Sequence, residues 1–136
     1  MNFEPTVYIV DDEEDLAETF AAMVQSVGLN TKTFSNARAF LESYPSGALG
    51  CLVTDLRMPG MSGSELQKVL AARGEPIPVI IVSGFADVPT TVSAMKEGAF
   101  DVIEKGGSPL KLLESIRKAF AFDLVSRGIA TDISVS

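Results

Sequence analysis

The sequence contains no histidine and only one cysteine, Cys51. The absence of histidine excludes histidine-based general acid–base catalysis and histidine ligands to a metal. A single cysteine excludes an intramolecular disulfide, and its position in an apolar segment indicates a small buried side chain. A metal or catalytic site in this chain must therefore be built from other groups.

Long apolar runs are also lacking, and so is an excess of basic charge. No apolar run reaches the length of a membrane-spanning helix, and the N-terminus has no basic segment followed by an apolar one, as a secretory signal would. The net charge of −7 over 136 residues opposes binding to a nucleic-acid backbone. We therefore expect one cytoplasmic globular domain, with no membrane contact and no direct nucleic-acid contact.

Short apolar segments alternate with longer amphipathic segments, which is typical of βαβ units and a parallel sheet. Strands are predicted at residues 7–10, 30–34, 51–55, 78–83 and 101–104. The fourth is apolar throughout, as expected of a strand buried on both faces. With five helices in strict alternation, the predicted fold class is α/β, a doubly wound five-stranded parallel sheet with helices on both faces.

Local signals place several helix ends and helix faces. Ser35 is predicted to cap the second helix and Asp87 the fourth. Val92 and Met95 are predicted to face the core from the fourth helix, and the last helix carries the apolar residues Leu110, Leu113, Ile116 and Phe120.

Carboxylates follow two of the predicted strands, with Asp11 and Asp12 after the first and Asp55 at the end of the third. Ligands of open α/β sheets bind outside the carboxyl ends of the strands, so these acids would converge if the two strands are neighbours. Two carboxylates about 4 Å apart repel by roughly 4 kcal/mol at an effective dielectric near 20. The cluster therefore predicts a divalent cation, and Mg²⁺ suits oxygen ligands.

Other interpretations of these acids are open when each is taken singly. Asp11 and Asp12 could cap the helix that follows them, and Asp55 could be a turn residue before Pro59-Gly60. Their occurrence at two strand ends favours the shared site.

Two further polar residues end strands, Ser83 after the fourth and Lys105 after the fifth. A hydroxyl at position 83 could bind a phosphoryl oxygen, and Gly84 next to it leaves room. The ammonium of Lys105 could pair with a carboxylate or a phosphate. Alone, the two would be interpreted as a loop serine and a solvated lysine.

With these residues at the ends of strands one, three, four and five, the chain resembles the response-regulator receiver (CheY-like) family over about residues 5 to 122. It is most similar to FixJ-type receivers, in DLRMPGMSG at 55–63 and in DVP and AMKEGA between 87 and 99. The resemblance implies a flavodoxin-like strand order of 2-1-3-4-5. It also implies a receiver domain at residues 1–122 and a C-terminal helix extension or flexible tail at 123–136.

The resemblance also implies a role for each site residue. Asp55 would be the phosphoacceptor, Lys105 would pair with the phosphoryl group, and Ser83 would be the switch hydroxyl. The Mg²⁺ ligands would be Asp11, Asp12, Asp55 and the backbone carbonyl of Arg57. The domain would be a signalling module and not an enzyme. Its partners would be a sensor histidine kinase, a downstream effector or appended output domain, and a second copy bound through the helix 4–strand 5–helix 5 face.

The chain departs from the family at two positions. Gly106 follows Lys105 where proline is usual, and a cis bond before a non-proline residue costs about 2.5–4 kcal/mol, so a trans bond or a looser loop is predicted. Val102 stands where Tyr or Phe is usual, which predicts output without an aromatic rotamer switch.

Three other functions compete with the receiver. An aspartate-nucleophile phosphatase would need a second acid two residues after Asp55, where the chain has Arg57. A nucleotide-binding Rossmann-like domain would need a glycine-rich turn after the first strand, where residues 11–15 are all acidic. A pseudo-receiver that only binds partners would leave Asp55 unmodified.

Overall fold

The computed structural model describes residues 4–84 and 87–128, in which strands and helices alternate as the sequence predicts. The elements, in chain order, are β1 (Thr6–Val10), α1 (Glu14–Gln25), β2 (Asn30–Phe34), α2 (Ala37–Ser43), β3 (Gly50–Asp55), α3 (Gly63–Ala72), β4 (Val79–Ser83), α4 (Val88–Lys96), β5 (Asp101–Glu104) and α5 (Pro109–Ser126). None of the helices in these two ranges is both long enough and apolar enough to cross a membrane.

The strands form one parallel sheet in the order β2-β1-β3-β4-β5, which confirms the predicted topology. Val10 at the end of β1 pairs in register with Thr54 of β3. Ser83 at the end of β4 pairs with Glu104 of β5. Because the strands are parallel, their carboxyl ends lie at one edge of the sheet, and the residues that follow them are brought together there.

Two apolar cores flank the sheet because strand side chains alternate between its faces. Val7 and Ile9 of β1 face the core that also holds apolar residues of α1 and α5. Tyr8 and Val10 face the core that holds apolar residues of α2, α3 and α4. Cys51 is fully buried in the first of these cores, and burial raises the pKa of its thiol, as expected for a structural cysteine.

Two of the predicted helix features are wrong. The cap of α2 is Asn36 and not Ser35, because the Asn36 side chain accepts a hydrogen bond from Ala39 N at 2.7 Å. Asp87 caps α4 as predicted, through Thr90 N at 2.9 Å. The apolar stripe of α4 does not face the core. The expected core residues Val92 and Met95 are exposed by 44% and 46%, respectively.

The end of α5 is fastened to the start of β3. Asp123 is buried, and its carboxylate accepts hydrogen bonds from Gly50 N at 2.9 Å and from Arg127 Nε at 2.8 Å. Arg127 in turn donates to the carbonyl oxygens of Gly47 and Ala48. These contacts fall within the segment 123–136 that the sequence predicts to be an extension or a tail, and residues 129–136 lie outside the described residues.

Candidate functional site

Asp55 is held at the end of β3 with its carboxylate largely buried. Leu56 N donates to Val82 O at 3.1 Å, and Leu56 O accepts from Gly63 N at 2.9 Å, so the loop after Asp55 is tied to β4 and to α3. Position 63 requires glycine, because a Cβ atom there would lie 2.4 Å from Asp55 O. Arg57 N donates to Asp55 Oδ1 at 3.3 Å and helps to fix the carboxylate.

Asp11 and Asp12 directly follow β1, and their carboxylates lie beside that of Asp55. The described structure brings one carboxylate oxygen each from Asp11, Asp12 and Asp55 within 4.8 Å of one another. Asp11 is buried and Asp12 is exposed. Asp11 Oδ1 accepts a hydrogen bond from Glu13 N at 2.8 Å, which orients the Asp11 carboxylate.

The electrostatics of this cluster favour a bound cation. Burial raises the pKa of Asp11 above its ordinary value, and the charge of Asp55 raises it further, while the hydrogen bond from Glu13 N and the charge of Lys105 lower it. The Lys105 ammonium contacts the carboxylates of Asp11 and Asp55, so one positive charge faces a cluster of three carboxylates and leaves much of their repulsion in place. This set of oxygen donors fits Mg²⁺, which binds carboxylates and keeps several waters.

Lys105 lies over the cluster and contacts three carboxylates. Its Nζ atom lies 2.9 Å from Asp55 Oδ2, 3.4 Å from Asp11 Oδ2 and 3.3 Å from Glu13 Oε1. Burial alone would lower the pKa of Lys105, but the hydrogen bond to Asp55 and the charges of Asp11 and Asp55 outweigh it and raise the pKa. The ammonium therefore stays charged at neutral pH.

Ser83 and Lys105 are joined through the backbone. Ser83 is buried at the end of β4, and its carbonyl accepts a hydrogen bond from Lys105 N at 2.8 Å. The Lys105–Gly106 bond is trans, as predicted. The structure thus brings Asp11, Asp12, Asp55 and Lys105 together and places Ser83 on the neighbouring strand end. The Arg57 carbonyl stays a prediction as a metal ligand, because the contact described for Arg57 is made by its amide.

Glu13 is a site residue that the sequence analysis missed. The contact between its carboxylate and Lys105 spans 92 positions along the chain. The only available signal was a third consecutive acid after β1, which serves equally well as part of a solvated helix start.

Comparison with known proteins identifies a matching family and close relatives. The family model described as the response regulator receiver domain matches residues 7–117. The response regulator protein TmoT of Ectopseudomonas mendocina is 46% identical over 116 residues, which cover 85% of this chain and 53% of TmoT. The transcriptional regulatory protein FixJ of Rhizobium meliloti is 46% identical over 114 residues, which cover 84% of this chain and 56% of FixJ.

Solved structures agree with this match. The crystal structure of FixJ-N has a TM-score of 0.80 and 44% identity, and the alignment covers 89% of this chain and 96% of that one. The response regulator StyR has a TM-score of 0.86 and 38% identity, with 92% and 63% covered. The present chain spans about half the length of the curated relatives it matches.

Proposed function

Because the chain belongs to the response regulator receiver family of two-component signalling domains, we propose that Asp55 accepts a phosphoryl group from a phosphohistidine of a sensor histidine kinase. One observation carries this proposal. A largely buried Asp55 carboxylate lies within 4.8 Å of two other aspartates and 2.9 Å from the Lys105 ammonium. A carboxylate held in this way is a nucleophile surrounded by groups that stabilise a transferred phosphoryl group.

In the proposed reaction, a carboxylate oxygen of Asp55 attacks phosphorus in line. The new oxygen–phosphorus bond forms as the phosphorus–nitrogen bond of phosphohistidine breaks, and the electron pair returns to the imidazole nitrogen. Lys105 moves from the Asp55 oxygen to an oxygen of the phosphoryl group and keeps it charge-paired. The Ser83 hydroxyl, at the end of the neighbouring strand, donates a hydrogen bond to a second phosphoryl oxygen.

The proposed cofactor is Mg²⁺, held by Asp11, Asp12, Asp55 and the backbone carbonyl of Arg57. When bound, it supplies positive charge against the oxygens of the transferring group. The modification itself adds about −1.5 to −2 charges at the end of β3. We propose that Ser83 and Lys105 respond to this charge and shift the segment that leads from β4 to α4.

The experiment that tests the proposal is labelling with an acyl phosphate, with and without Mg²⁺. We expect one phosphoryl group per chain in the wild type, dependent on Mg²⁺, and none in Asp55→Asn. Asp15→Asn is the matched control, because Asp15 is an exposed acid in the first turn of α1, outside the cluster. Label that persists in Asp55→Asn would contradict the proposal.

A turnover assay with a phosphoester, run beside the labelling, separates the competing functions. Many turnovers of phosphoester per chain would favour an aspartate-nucleophile phosphatase. The exposed Arg57 two residues after Asp55, where such an enzyme would need an acid, supports the signalling module instead. A wild type that takes up no label with Mg²⁺ present would favour a pseudo-receiver.

We further propose that phosphorylation changes how this domain binds an output domain, a separate effector or a second copy of itself. The matched relatives are longer than this chain, and some are named transcriptional regulatory proteins, which supports an output domain or a separate effector. Exposed apolar residues on α4 and α5 support a homodimer through the α4–β5–α5 face. The net charge of −7 supports a receiver that contacts neither nucleic acid nor a membrane directly. We propose that it acts in the cytoplasm beside its kinase.

A further inference from the structure

The backbone holds Lys105 on both sides, but it does not fix the position of the ammonium. Lys105 N donates to Ser83 O at 2.8 Å, and Gly107 N donates to Glu104 O at 3.1 Å, which closes the turn through Gly106 at a φ of +81°. The ammonium lies at the end of a flexible four-carbon side chain. Its position therefore depends on the carboxylates that contact it.

These carboxylates are not equivalent. Asp11 and Asp55 belong to the three-aspartate cluster that fits a divalent cation. A cation bound there takes up their oxygens and repels the ammonium of Lys105, so both contacts weaken. Glu13 lies outside that cluster, and its Oε1 atom is 3.3 Å from Lys105 Nζ. The hydrogen bond from Glu13 N to Asp11 Oδ1 fixes the backbone of Glu13 at the edge of the site.

We propose that Glu13 is a positioning residue that keeps the Lys105 ammonium beside Asp55 when the aspartate cluster holds the cation. The inference rests on the proposed phosphorylation of Asp55. In it, Glu13 touches neither the phosphoryl group nor the metal and acts only through Lys105. The Glu13 side chain is 65% exposed, so the ion pair is partly screened by solvent and its effect is modest.

The first test is the rate of acyl-phosphate labelling at saturating Mg²⁺ in Glu13→Gln. We expect labelling to slow by about two- to fivefold, the range of a partly exposed ion pair. Glu14→Gln is the matched control, because it removes the same charge from the next residue, and we expect its rate to equal that of the wild type. Equal rates in Glu13→Gln and Glu14→Gln would overturn the inference.

A double-mutant cycle separates action through Lys105 from a general effect of charge. If Glu13 acts through Lys105, adding Glu13→Gln to Lys105→Met changes the labelling rate no further. A loss of the same size in both backgrounds would overturn the inference.

A readout without phosphorylation distinguishes this inference from the proposed function. The ¹⁵N resonance of the Lys105 ammonium reports how well its protons are protected from solvent exchange. With Mg²⁺ bound, we expect protection in the wild type and in Glu14→Gln, and its loss in Glu13→Gln. An unlabelled wild type would contradict the function of Asp55, whereas unchanged protection in Glu13→Gln would overturn the role of Glu13.

Discussion

Buried polar residues hold together parts of this chain that are far apart in the sequence. Asp123, near the end of α5, bonds Gly50 N across 73 positions, at the opposite end of β3 from Asp55. Gly50 is itself required, because a Cβ atom there would lie 1.9 Å from Thr6 O. One carboxylate thus fixes the last helix against the sheet.

Replacement of Asp123 by alanine is expected to lower the free energy of unfolding by about 3 kcal/mol. The change leaves Gly50 N and the Arg127 guanidinium without their buried acceptor. Asp123→Asn keeps an oxygen toward Gly50 and should cost less. Glu114→Ala is the control, because it breaks an exposed ion pair with Lys118 and should cost about 0.5 kcal/mol or less. Urea denaturation measures all three, and equal losses for Asp123→Ala and Glu114→Ala would contradict the prediction.

Glu75 should make stability depend on pH in the acidic range. The Ser46 hydroxyl and Gly47 N donate hydrogen bonds to its carboxylate, and these lower its pKa below the ordinary 4.5. Because the folded pKa is lower than the unfolded one, the stabilisation is present above pH 4.5 and is lost as the pH falls through the folded pKa. We expect Glu75→Gln to lower stability at neutral pH, with the difference from wild type vanishing in acid.

Thermal unfolding between pH 7 and pH 3 measures this difference. Glu18→Gln, an exposed acid on α1, should show no such pH dependence relative to wild type. A stability loss in Glu75→Gln that stays constant down to pH 3 would show that the hydrogen bonds do not depend on the charge.

At the scale of elements, the contact between α3 and α4 includes a cleft and buried polar atoms whose hydrogen bonding is incomplete. A cleft of about 370 Å³ separates them, bridged by the Ser64 hydroxyl donating to the Glu97 carboxylate. Beneath it, the buried side-chain nitrogen and oxygen of Gln67 have no hydrogen-bond partner within the described part of the chain. An unsatisfied buried amide costs about 1–3 kcal/mol, so an apolar side chain of similar volume is expected to improve the packing at this position.

Gln67→Leu is therefore expected to raise the free energy of unfolding by about 1 kcal/mol, since it keeps a similar volume and removes the unpaired polar atoms. Chemical denaturation measures the gain. Lys68→Met, at the exposed neighbouring position, should change stability by less than about 0.5 kcal/mol. A destabilised Gln67→Leu would mean that the amide is satisfied by water in solution.

The same helix shows what sequence patterns convey about an element. Asp87 and Pro89 mark the start of α4 because capping and proline chemistry are local. Apolar periodicity also identifies one stripe on the helix, but it does not say what that stripe faces. In α4 the core contact is made by Ala94, and the larger residues of the stripe point outward. Val102 is half-buried against the core. Output without an aromatic rotamer switch, which the sequence predicts from Val102, stays a prediction.

For the whole molecule, the sequence predicts those features of the fold and the site that follow from the order of the strands and from the residues at their ends. The convergence of Asp11, Asp55 and Lys105 follows from parallel strands whose carboxyl ends share an edge. The contacts of Glu13 with Lys105 and of Asp123 with Gly50 N could not be predicted, because each joins groups that are distant in the chain and belongs to no periodic pattern.

Exposed apolar side chains on two neighbouring helices indicate that the domain self-associates. Val88 and Val92 of α4 and Leu110 of α5 are exposed by 75%, 44% and 73%, respectively, and lie on the two helices that flank β5. Burial of these apolar groups against a second copy of the chain lowers the free energy and so favours a dimer. We expect the phosphorylated chain to dimerise through this face and Val92→Lys to weaken the dimer about tenfold, which corresponds to about 1.4 kcal/mol.

Sedimentation equilibrium on the phosphorylated proteins measures the dimer constant. Val27→Lys is the matched control, because Val27 is 55% exposed just after α1, on another face of the domain. Its dimer constant should equal that of the wild type, since the same change of size and charge is made away from the interface. A wild type that stays monomeric when phosphorylated would contradict dimerisation. Equal weakening by the two substitutions would place the interface elsewhere, because a lysine disrupts an apolar contact only where the contact is made.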